Sequence, residues 1–127
     1  MKGKIKTIDL FAGCGGLMEG FEQTGYYETL ACVEWEKSPC DNLTERLSTK
    51  WGYKDAVRRV IRFDIQRTEE LLNGWDDDEY GVGCGLNTII GDNRVDVIIG
   101  GPPCQAYSLA GRVRDENGMK DDYRNYL

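Results

Sequence analysis

The sequence predicts an α/β fold built on a parallel sheet, and three observations carry that prediction. Short apolar segments alternate with segments of helical period, the β-α-β-α order from which parallel sheets are made. The first apolar segment runs straight into a glycine loop, Ala12-Gly13-Cys14-Gly15-Gly16. The last, Val95 to Ile99, stops at Gly100-Gly101-Pro102-Pro103-Cys104. A loop that follows a strand end is where open α/β sheets bind their ligands.

The elements follow in order. Ile5 to Phe11 is rich in β-branched and apolar residues and reads as a buried strand. Leu17 to Thr24 reads as a helix with Leu17 and Phe21 on its apolar face, stopped by Gly25. Thr29 to Glu34 is a second short strand. Ser38 reads as a helix N-cap with Pro39 at the first helical position and Asp41 completing the S-x-x-D signature. Cys40, Leu43 and Leu47 then form a stripe that carries this helix to about Thr49. Val60 to Ile65 is a third strand, and Thr68 to Asn73 a short helix closed by Gly74. Trp75 to Arg94 has no clear period and reads as a loop insertion. Val95 to Ile99 is the fourth strand, expected beside the first. Asp121 to Leu127 resembles the start of a helix with nothing after it, so the chain reads as the N-terminal part of a larger domain.

Composition narrows the classes. The chain has 127 residues, enough for one modest core. It carries no apolar run of bilayer-spanning length and no signal peptide, so the reading is cytoplasmic, of prokaryotic type, with no membrane partner. Five cysteines without a C-x-x-C pair suggest neither a disulfide framework nor a zinc site. With no histidine, a Cys-His dyad within this chain is excluded and no metal is expected. The net charge of −6 is unusual for a nucleic-acid binder: either nucleic acid is not the partner, or the basic surface lies elsewhere.

The candidate site begins at the glycine loop. Gly13 and Gly15 fit a dinucleotide fingerprint, but Met18 stands where its third glycine belongs. That favours a ligand without a pyrophosphate, and S-adenosylmethionine qualifies. Glu34, at the end of strand two, is placed to accept hydrogen bonds from ribose hydroxyls, and Trp35 to stack on adenine. Asp64 and Ile65 end strand three, where the carboxylate could accept from the adenine amino group. At the fourth strand, two glycines permit close approach and two prolines stiffen the chain ahead of Cys104, an arrangement suited to a nucleophile. Cys14, Cys32, Cys40 and Cys84 read as structural thiols.

Together these residues resemble the cytosine-C5 DNA methyltransferase family, across the chain apart from 75–94. Phe11-Ala12-Gly13-Cys14-Gly15-Gly16 matches its cofactor loop, with Phe11 as the adenine-contacting aromatic. Glu34-Trp35 matches its ribose and adenine pair, and Asp64-Ile65 its next adenine contact. Gly101-Pro102-Pro103-Cys104-Gln105 matches the nucleophile loop, with Gly101 and Pro103 on the cofactor side and Gln105 on the nucleic acid. Ser108, Gly111 and Arg112 fall where the family's mobile loop meets the DNA backbone. Asp122, Arg124 and Leu127 fit its D-x-R-x-x-L segment, Leu127 touching the cofactor and Arg124 counted with the nucleic-acid contacts.

The resemblance implies a Rossmann-like sheet of the S-adenosylmethionine-dependent methyltransferase type, present as its N-terminal half. It also implies S-adenosylmethionine as cofactor, double-stranded DNA with a flipped cytosine as partner, and Cys104 adding to C6 of that cytosine. The family's later Glu-Asn-Val and Arg-x-Arg motifs and its target-recognition domain are absent from these residues. The absence accounts for the acidic charge, since sequence reading belongs to that domain. The expectation is that the fragment alone is inactive. Two rivals stay open: a tRNA cytosine-C5 methyltransferase, which shares the Pro-Pro-Cys-Gln loop, and a non-catalytic cofactor-binding half that needs a second polypeptide.

Overall fold

A computed structural model describes residues 3–102. Four parallel strands form the main sheet in the order β3-β2-β1-β6. They are β1 (Ile5–Leu10), β2 (Tyr27–Glu34), β3 (Val60–Arg62) and, after the shorter elements, β6 (Val97–Gly100). The chain moves outward from β1 to β3 and then returns to the other side of β1, so the sheet reverses direction between β1 and β6. The expected adjacency of the first and last strands is observed, with Thr7 opposite Val97 and Leu10 opposite Gly100.

Helices cover both faces. One carries α1 (Gly16–Gln23), α2 (Lys37–Glu45) with its π-helical continuation Arg46–Lys50, and α3 (Ala56–Arg59). Met18, Leu43, Leu47 and Ala56 from these helices meet Cys32 of β2 and Ala12. The other face carries α4 (Thr68–Asn73) and α5 (Leu86–Ile90), whose Leu71, Leu86 and Ile89 pack on Ile8, Leu30, Ile61 and Phe63. Leu30 is an extra residue between the pairs Thr7–Thr29 and Ile8–Ala31. This bulge sends both Leu30 and Ala31 to the apolar face.

Several boundaries depart from expectation for identifiable reasons. Strand three ends at Arg62 because Asp64 starts a turn, its carboxylate and carbonyl accepting the Gln66 and Arg67 N–H groups. The second helix begins at Lys37 with Glu36 extended ahead of it, so Ser38 lies inside the first turn and caps nothing. An ion pair from Lys37 to Asp41 at 2.8 Å supports that turn instead. In α1 the expected face is corrected: Leu17 is 45% exposed, and the helix buries Met18, Glu19 and Glu22. The two glutamates find partners far away in sequence, which a period alone cannot reveal.

The largest correction is at 75–94, which is ordered rather than a plain loop. Trp75–Asp77 and Gly81–Gly83 form an antiparallel hairpin, β4 and β5, and α5 follows. Trp75 stacks on Phe63 at 4.2 Å, a long-range contact that fixes the hairpin without any local period. Among the described residues no helix is long and apolar enough to cross a membrane.

Candidate active site

Because all four strands run parallel, their C-terminal ends share one edge of the sheet. At that edge the glycine loop leaves β1, Glu34-Trp35 leaves β2, Asp64-Ile65 follows β3, and Gly101-Pro102 leaves β6. The β1–β6 reversal point lies among them, the usual crevice for a ligand in such sheets. Every expected cofactor residue within 3–102 therefore reaches one edge. Pro103, Cys104, Gln105, Ser108, Arg112, Arg124 and Leu127 lie outside the described residues.

The loop is tied down from several sides. The Ala12 N–H donates to the Val33 carbonyl at 3.0 Å, continuing the strand pairing for one residue. Phe11 then turns with φ +58, the one non-glycine residue at positive φ among those described. A bulky side chain held in that region marks a position fixed by its surroundings. Gly15, at φ +91, could carry no Cβ: the atom would meet Leu43 Cδ2 at 2.7 Å, so the loop lies directly on α2. At Gly13 the same atom would meet nothing within 4 Å, which leaves that part of the loop open.

Glu34 links the strand ends. Its carboxylate accepts the Gly13 N–H at 3.1 Å with one oxygen and the Glu36 N–H at 2.9 Å with the other. Its carbonyl accepts the Phe63 N–H and the Cys40 thiol. The side chain is half-buried, and each oxygen has lone pairs left for further donors. Trp35 beside it is 39% exposed, so it is not a core tryptophan. Asp64 is half-buried at the next strand end, while Ile65 packs into the apolar face.

Beneath the loop lies a group the sequence reading left without a role. Asp9 is 1% exposed, and neither carboxylate oxygen has a hydrogen-bond partner. Burial pushes its carboxyl up to about 6, with the Met18 N–H opposing that rise from outside bonding geometry. An aspartate within the otherwise apolar Ile8-Asp9-Leu10 was the available signal.

The cysteines divide. Cys32 and Cys40 are buried, and burial raises both thiols, that of Cys40 to about 12, so neither is a reactive thiolate. Cys14, in the glycine loop, and Cys84 are exposed. Among the described residues no group of His, Cys, Asp or Glu side chains could hold a metal ion.

At Gly100 a Cβ would stand 2.6 Å from the Leu10 carbonyl oxygen. Only glycine lets the last strand pair this closely as the chain leaves the sheet for Pro102.

A parallel sheet with this strand order, a glycine loop after β1 and an acidic residue ending β2 is the Rossmann-like arrangement of the N-terminal half of a methyltransferase fold. The family is settled by comparison: residues 5–127 match the C-5 cytosine-specific DNA methylases, and the chain belongs to that family. It is 36% identical over 124 residues to the Type II methyltransferase M.AgeI of Thalassovita gelatinovora, a match covering 97% of this chain and 23% of that protein. Type II methyltransferase M1.HphI of Haemophilus parahaemolyticus is 34% identical, over 97% of this chain and 27% of its own length. Type II methyltransferase M.HgiGI of Herpetosiphon aurantiacus is 34% identical, over 88% and 68% respectively. The chain thus spans about a quarter of the length of the first two.

Proposed function

We propose that these residues are the N-terminal part of a catalytic domain that transfers a methyl group from S-adenosylmethionine to C5 of cytosine in DNA. The observation that carries this reading is the pairing of Leu10 with Gly100, which brings the glycine loop and the start of the Gly-Gly-Pro-Pro-Cys segment to neighbouring strand ends. Family membership and the relatives' names favour DNA over tRNA and an enzyme over a binding module. The Type II names also support a role in restriction-modification in the cytoplasm.

The residues present fit an adenosine-bearing methyl donor. The loop is open at Gly13, Glu34 keeps acceptor capacity beside it, and Trp35 offers an exposed ring. Phe11, Ala12, Gly13, Cys14, Gly15 and Gly16 would line the loop side, Glu34 would accept from the ribose, and Trp35, Asp64 and Ile65 would meet adenine. Gly101, Pro103 and Leu127 would close the site. When bound, S-adenosylmethionine supplies an electrophilic methyl group.

The protein's part is to make C5 of cytosine a nucleophile. The Cys104 thiolate forms a bond from Sγ to C6, and the electron pair of the C5–C6 double bond becomes available at C5. Once C5 carries the methyl group, a solvent base takes its proton, the C5–C6 double bond re-forms and the Sγ–C6 bond breaks, which returns the thiolate. The cytosine must leave the duplex stack for this, and Gln105, Ser108, Arg112 and Arg124 are the contacts proposed to hold the DNA.

The test is trapping. Fluorine at C5 cannot be lost as the proton is, so DNA containing 5-fluorocytosine, given together with S-adenosylmethionine, should hold the full-length protein in an adduct that survives denaturation. The adduct should map to the Cys104 peptide, and Cys104→Ser should abolish it together with turnover. An adduct on another cysteine, or normal turnover in Cys104→Ser, would overturn the assignment. Trapping on tRNA but not on DNA would reverse the substrate.

A further inference from the structure

Arg62 stands on β3 opposite Glu34 of β2. Its guanidinium reaches in two directions, Nε donating to the Trp35 carbonyl at 3.1 Å and Nη1 to the Glu79 carbonyl at 3.1 Å. It also lies over the Tyr80 ring, 5.2 Å from the centroid. One side chain therefore ties the end of β2 to the turn of the β4–β5 hairpin.

The hairpin is fixed independently from the side of β3. Trp75 stacks on Phe63, and Tyr80 meets the same ring edge-on at 5.2 Å. Arg67 pairs with Asp77 at 2.7 Å while lying 4.6 Å over Phe63. Phe63 immediately precedes Asp64. Burial, then the charges of Glu79 and Asp64, hold the Tyr80 phenol above its ordinary value. The hairpin turn is thus tied to Trp35, assigned above to the adenine end, and the hairpin packs on Phe63, the sequence neighbour of Asp64.

We propose that the β4–β5 hairpin is a wall of the adenine end of the cofactor site, and that Arg62 is the positioning residue that holds it there. A bidentate donor with a planar fork can lock both carbonyls at once, which a lysine cannot reproduce. The inference rests on the cofactor reading and goes beyond it, because it gives the 75–83 segment a part in cofactor affinity.

Hydrogen exchange and kinetics on the full-length protein test it. Adding S-adenosylmethionine should slow exchange at residues 34–36 and also at 75–83. Arg62→Met should raise the cofactor KM by about tenfold while changing kcat at saturating cofactor less than about twofold, since binding and not chemistry is weakened. Arg62→Lys should recover only part of the loss. Tyr80→Leu, which leaves the Arg62 hydrogen bonds in place, should raise KM in the same direction and keeps the test usable if Arg62→Met fails to fold. Protection at 34–36 without protection at 75–83, or a lower Tm with an unchanged cofactor KM, would reduce the hairpin to structural cover and overturn the proposal. No protection at 34–36 would overturn the cofactor reading itself, and the wall with it.

Discussion

On one face of the sheet, Ile8, Leu30, Ile61 and Phe63 meet α4, α5 and the hairpin through apolar and aromatic side chains. On the other, the apolar cluster of Met18, Cys32, Leu43, Leu47 and Ala56 is joined by buried polar groups, Thr7, Asp9 and Thr29 of the strands and Glu19 and Glu22 of α1. Glu22 accepts from the Thr29 hydroxyl at 2.8 Å, from the Thr29 N–H at 3.3 Å and from the Tyr53 hydroxyl. Glu19 accepts from Arg46 and Lys50, each at 2.9 Å. Apolar burial is non-directional, whereas directed hydrogen bonds fix orientation. The polar face is the one that bears the glycine loop, where α1 begins, and the apolar face bears the hairpin. Under the loop, directed hydrogen bonds are added to an apolar cluster and specify orientation, while the opposite cluster is apolar and aromatic.

Phe63→Ala is the harshest test of that contrast. Phe63 is 1% exposed and supports Trp75, Tyr80 and Arg67 at once. Its loss should destabilise the protein by about 3–5 kcal/mol, read from denaturant unfolding. Peptide fragments from 75–83 should become protease-sensitive before the rest. A cost near that of a surface substitution would mean the hairpin is held by Arg62 and Arg67 alone.

The difference between the faces also explains what was legible beforehand. The strands of the sheet, their parallel order and the glycine loop were readable because buried apolar runs and turn residues are local signals. The position of Glu34 at the strand edge was readable because the apolar run of the second strand ends there. The hairpin was not, since Gly81-Val82-Gly83 has no period and depends on a ring ten or more residues away in sequence. The inward glutamates of α1 were missed for the same reason: Arg46, Lys50 and Tyr53 justify their burial, and all come from a later turn of chain. Arg62 carried no signal at all, because its acceptors are main-chain carbonyls.

Asp9 should report on the polar face with the opposite sign. A buried carboxyl held at about 6 disfavours ionisation inside the fold. Its favourable balance is complete below the ordinary carboxylate range and is lost as pH rises through about 6. Asp9→Asn removes that titration while keeping a buried polar group. The stability of the variant relative to the parent should therefore climb by about 2 kcal/mol between about pH 4 and pH 8. Unfolding curves of both proteins at the two pH values decide it. A difference that stays level with pH would mean the Asp9 carboxylate has a partner in solution.

The smallest effect belongs to the ion pairs that dock α1 on the π-helical turn. Glu19 is buried, while its partners Arg46 and Lys50 are each about half exposed. Burial works to raise the Glu19 carboxyl, but hydrogen bonds from Lys50, Arg46 and Trp51 together hold it below its ordinary value. Half-exposed cations are screened, so Arg46→Ala or Lys50→Ala should each cost only about 1 kcal/mol at low salt and less in about 1 M salt. Removing both should cost more than the sum, because the remaining carboxylate would then be buried without a cation. The pairs contribute above the ordinary carboxylate range, and that contribution is lost as pH falls through the depressed value. Parent and double variant should accordingly converge in acid. Additive losses that ignore both salt and pH would show that Glu19 is held by Trp51 and packing, and that the polar face owes its orientation to Glu22 instead.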